Sequence, residues 1–68
     1  MEEEILEFCK EHLSKEHIIA EAKKNGERPF GYVIDFIRDE FNISKFQAWY
    51  TAEKVIIYFG LTNNECGV

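Results

Sequence analysis

The chain has 68 residues, 46% of them hydrophobic and 15% aromatic, with a formal net charge of −5. That length holds one small domain, and the aromatic content excludes an intrinsically disordered chain, because disorder goes with few large apolar side chains. The acidic balance disfavours nonspecific binding to nucleic acid or anionic membrane, since affinity for phosphate comes from clustered Lys and Arg.

No apolar run reaches the roughly 18 residues of a membrane span, and the start, MEEEILEF, is acidic where a secretory signal would be basic. The expected compartment is the cytoplasm. Two cysteines, Cys9 and Cys66, do not make a disulfide framework, and a reducing cytosol keeps both free.

From Glu2 to Asn25 the pattern is helical. Three Glu in the first turn suit the positive end of the helix dipole, and Lys23 and Lys24 suit the negative end. Ile5, Phe8, Cys9, His12 and Leu13 share one face. Beyond Ser14 the apolar set becomes Ile18, Ile19 and Ala22, rotated from the first stripe. Ser14 is therefore a candidate cap for a second short helix, with a break or kink there as the alternative to one continuous helix. Residues 1–26 carry seven Glu against four Lys, so most of the acidity lies here.

Asn25-Gly26 stops this segment, and Pro29 suits the first position of the next helix, where its missing N–H costs nothing. That helix is expected from Pro29 to Phe41. Its inner stripe is Phe30, Val33, Ile34, Ile37 and Phe41, widened by Tyr32 and Phe36, with Asp35, Arg38 and Asp39 outside.

After a tight turn at Asn42-Ile43 comes the best-defined element, SKFQAWYTAEKVIIYFGL, residues 44–61. Ser44 with Gln47 forms a capping box, Ile43 staples onto Ala48, and Gly60 ends the helix. At about 100° per residue, Ala48, Trp49, Ala52, Val55, Ile56 and Phe59 make a main apolar stripe. Phe46, Tyr50 and Ile57 make a second one with Glu53 among them. That leaves Gln47, Thr51, Lys54 and Tyr58 for a wet face. Either the second stripe is core or it is a contact surface, because contiguous exposed aromatics usually mark contacts. The run VIIYF, Val55 to Phe59, is also β-prone and adhesive when unfolded. Residues 62–68 read as a polar tail.

The stretch Ile37 to Ala48, IRDEFNISKFQA, resembles the helix-turn-helix unit of DNA-binding proteins. The likeness lies in Phe41-Asn42-Ile43-Ser44: a turn residue tolerant of positive φ, a buried Ile and a Ser cap. It implies DNA contacts from Lys45, Gln47, Thr51 and Lys54. Arg38 departs from the unit, which has a small buried residue there, and the would-be recognition helix has Glu53 and no arginine.

Catalytic and metal chemistry find little support. Cys9 and His12 share a helix side but lack the further ligands a metal requires. Asp35 and Asp39 share a wet face with Arg38, and Ser14 and Ser44 read as caps. The sequence thus predicts an all-α domain over residues 1–61, with three main helices, or four if the first divides at Ser14. The expected role is a non-catalytic regulatory or adaptor module without cofactor or metal. It would bind a protein partner, or its own copy, through Phe46, Tyr50 and Ile57, with Tyr32 and Phe36 as outlying candidates. The alternative is a helix-turn-helix regulator.

Overall fold

Four helices follow one another in the computed structural model, which describes residues 2–61: α1 (Glu2–His12), α2 (Lys15–Lys24), α3 (Pro29–Glu40) and α4 (Lys45–Tyr58). The polar tail at 62–68, with Cys66, lies outside the described residues. The first helical segment divides at Ser14, so the described residues form four helices and not three. Ser14 takes an extended backbone and its Oγ accepts the His17 amide at 3.1 Å, so Leu13 and Ser14 separate α1 from α2. The break rotates the second apolar set inward: Ile5, Cys9 and Leu13 are buried before it, Ile18 and Ala22 after it.

Both helices that end in glycine close in the same way. After α2, Gly26 at φ 71° donates its amide to Lys23, and Glu27 donates to Ala22. After α4, Gly60 at φ 72° donates to Ile57, and Leu61 donates to Ile56 at 2.9 Å. These are the paired bonds of a Schellman end, which only a left-handed residue permits without strain. Leu61 is buried beside Ile56, so the α4 end is also held by an apolar contact.

α3 ends at Glu40, one residue before the expected Phe41. Asn42 is not in the left-handed region, since no described residue other than Gly26 and Gly60 has positive φ. Phe41 instead turns extended, at φ −129° and ψ 137°, and Ile43 donates to the Phe41 carbonyl at 3.0 Å. The chain leaves α3 by straightening, so the tolerance of Asn42 for positive φ, on which the helix-turn-helix likeness drew, goes unused.

α4 packs most extensively against α3, and also against α1, while α2 packs on α3. The shared core is built from Ile5, Cys9, Ile18, Val33, Ile37 and the α4 residues Ala48, Ala52, Val55 and Ile56. Ala48 and Ala52 are small enough to bring α4 close to its neighbours. The radius of gyration, 10.7 Å, matches the ~11 Å of a packed domain this long. No helix among the described residues is long and apolar enough to cross a membrane.

Candidate functional site: the outer face of the last helix

α4 is the element whose apolar residues exceed what the core takes. Its buried residues are Ala48, Thr51, Ala52, Val55 and Ile56. At about 100° per residue their arc centres close to Ala48, between Val55 and Ala52. Phe46, Ile57 and Tyr50 then fall near the opposite pole of the helix. Their exposures agree: Phe46 is 84%, Ile57 70% and Tyr50 62% accessible. The second stripe is a surface, on the side of α4 that faces away from the core.

Two residues depart from the sequence reading, and both follow from that centre. Trp49, expected in the main stripe, is 45% exposed. It lies at the shoulder of the inner arc, with its ring edge-on to Phe30 (centroids 5.6 Å apart) and Tyr50 beside it at 6.4 Å. Thr51, expected on the wet face and as a DNA contact, is buried. Its hydroxyl donates to the Gln47 carbonyl one turn back at 3.0 Å, which satisfies the polar atom inside the domain. A hydroxyl so placed does not reach DNA, and Thr51 leaves that set.

The other helix-turn-helix candidates are placed outside. Lys45, Gln47 and Lys54 are exposed, with the Gln47 amide bonded to Ser44 Oγ at 3.2 Å. Lys54 Nζ sits 3.8 Å from Glu2 of α1, so α1 brings an acid to the edge of this face. Arg38 is exposed where the likeness has a small buried residue. Phe46, Trp49 and Lys45 line an open cleft of about 310 Å³.

Tyr32 and Phe36 belong to a different group. Both are half-buried. Phe36 stacks on Phe8 at 6.0 Å, and Phe8 meets Phe41 edge-on at 5.2 Å. His12, exposed, tilts over Phe8 at 4.1 Å. Tyr32 lies within 3.3 Å of His17 Nε2 through its hydroxyl. These rings tie α1 and α2 to α3; they are not brought together with Phe46, Tyr50 and Ile57.

Cys9, Glu27 and Tyr32 are shifted by their surroundings. Burial pushes the Cys9 thiol up to about 11, which leaves it protonated and a poor nucleophile at neutral pH. Burial, then the Asp35 carboxylate beside it, raises Glu27. That neighbour of Asp35, from the loop before α3, is not legible from spacing within the helix. Burial and the acids Glu21 and Glu27 raise Tyr32. Among the described residues, no group of three or more His, Cys, Asp or Glu is placed to hold a metal ion.

No family model, curated protein or solved structure matches this chain.

Proposed function

We propose that this protein is a small cytoplasmic regulatory or adaptor module that acts by binding protein, with the outer face of α4 as its contact surface. One observation carries the reading: Phe46, Tyr50 and Ile57 are highly exposed on the face of α4 turned away from the core. With Trp49 they offer on the order of 500 Å² of largely apolar surface, at roughly 150–250 Å² for a whole aromatic side chain. A patch of that size lies near the top of the range for monomeric proteins and is often functional. Rigid aromatics also make contact area at low entropic cost.

A non-catalytic role is supported by what the nucleophiles do. Ser14 and Ser44 Oγ are occupied as helix caps, and Cys9 is buried with its thiol held protonated. DNA binding loses support on three counts. Thr51 is inward, Lys54 lies beside Glu2, and aromatics hold the centre of the face that a recognition helix would present. Phosphate contacts need more positive charge than Lys45 and Lys54 supply.

The test replaces Ile57 with a benzophenone amino acid in the full chain and irradiates it in the cells that make it. A discrete adduct, with a second protein or a second copy, is expected from position 57. None is expected from Glu16, exposed on α2. The absence of any adduct from positions 57 and 46 would refute the reading.

A further inference from the structure

Along the exposed face of α4, Phe46, Tyr50, Glu53 and Ile57 succeed one another at spacings of four, three and four residues. That is the rhythm of a seam at which two helices pack side by side. All four are exposed, so no other helix of the domain uses this seam. Its one charged member, Glu53, stands inside it.

Resting on the proposal that this face binds protein, we infer that its occupant is the same face of a second copy, packed antiparallel in a two-fold symmetric dimer. A two-fold axis midway between Thr51 and Ala52 sets Phe46 of each chain against Ile57 of the other. The same axis sets Tyr50 of each against Glu53 of the other. The apolar ends pair with apolar ends. The only acid meets the only hydroxyl of the seam, whose O–H donates to the carboxylate as a charge-assisted bond. Such a face is complementary to itself, as an isologous contact requires.

Parallel packing lacks this property. It would bring Glu53 against Glu53 with no hydroxyl opposite, and like charges facing each other disfavour it. The flanks fit the antiparallel arrangement as well. Trp49 lies on one side of the seam, where it adds apolar area, and Lys54 lies on the other, beside Glu2. Helix α4 carries Lys45, Lys54 and Glu53, whereas α1 carries five Glu against Lys10 and His12. The apposed helices are therefore not the acidic ones. At on the order of 500 Å² from each copy, the buried total reaches about 1,000 Å², the lower limit for a specific interface. The dimer is accordingly weak and concentration-dependent.

Sedimentation equilibrium of the full chain, from about 5 µM to 1 mM, with helix content followed by circular dichroism, tests this. The expected result is a shift from 8.0 kDa towards twice that mass within the range. Tyr50→Glu faces Glu53 across the seam and should weaken association at least tenfold with helix content unchanged. Adding Glu53→Lys to it should restore association to within about threefold, because the reversed pair again meets its complement. A monomer at 1 mM, an undiminished Tyr50→Glu dimer, or no rescue in the double variant overturns the inference. A monomer whose position 57 still cross-links a different protein overturns the dimer and leaves the protein-binding reading standing. A monomer with no adduct overturns both.

Discussion

Ile37 and Ile57 are the same side chain in opposite settings, one wholly buried in α3 and the other 70% exposed on α4. Truncating each to alanine separates what holds the fold from what does not. At Ile37 the lost transfer energy and the cavity left in a core of Val33, Val55 and Ile5 cost about 2–5 kcal/mol. A domain this size has roughly 3–10 kcal/mol in all, so Ile37→Ala should remove a large fraction of its stability. At Ile57 little apolar area returns to water, and alanine is the better helix former by a few tenths of a kcal/mol. Ile57→Ala should therefore change the unfolding free energy by less than about 0.5 kcal/mol. Urea unfolding at about 5 µM, low enough to keep a weak dimer from contributing, measures both. A loss above about 1.5 kcal/mol at Ile57 would mean that its face is core. A loss below about 1 kcal/mol at Ile37 would mean that the packing described here is wrong.

Two further predictions concern the caps and the buried thiol. Ser14→Ala removes the acceptor for the His17 amide and should cost about 1 kcal/mol, or about 4–8 °C in the melting midpoint, while Ser14→Asp should hold near wild type; an unchanged midpoint in the alanine variant would place the α1–α2 break elsewhere. Cys9 is raised from 9.0 to about 11, so the folded state favours the protonated thiol, and its contribution is complete below pH 9 and lost as pH rises to about 11; the stability advantage of wild type over Cys9→Ala should shrink across that window by about 2–3 kcal/mol at most, and a pH-independent difference would contradict the burial.

Three main helices and a candidate break at Ser14 are legible in the sequence because local punctuation marks them, and the structure makes that break the boundary between α1 and α2. Ser14, Gly26, Pro29, Ser44 and Gly60 all mark element boundaries, and capping or left-handed geometry is seen where each demands it. Asn42 tolerates positive φ without requiring it, and an extended exit serves α3 equally well. Trp49 and Thr51 were misplaced. Ranking by hydrophobicity puts tryptophan inside and threonine outside. The arc that α4 can bury is instead fixed by where α1 and α3 lie, and that arc centres on Ala48. Thr51 falls within it and satisfies its own hydroxyl; Trp49 falls at its shoulder with one edge packed on Phe30. The Glu27–Asp35 neighbourhood joins a loop to a helix, and helical periodicity carries no information about it.

The same arc accounts for how this chain tolerates an apolar helix face. The five inward residues of α4 anchor it without help from Phe46, Tyr50 or Ile57, so the outer stripe adds nothing to folding that polar residues would not. Exposed aromatics beside a β-prone VIIYF segment favour indiscriminate association. Opposing it is the charge of α1, whose Glu side chains make most of the net −5 and whose Glu2 reaches the edge of the α4 face. Like-charged chains repel over roughly a Debye length, about 10 Å at 0.1 M salt, whereas apolar contact acts only at closest approach. Random collisions between acidic surfaces are thereby discouraged, and the association we propose is confined to poses that bring the apolar seam into close register. In the proposed dimer an acidic first helix and an apolar last helix are thus two parts of one arrangement: the second makes the contact, and the first restricts what makes it.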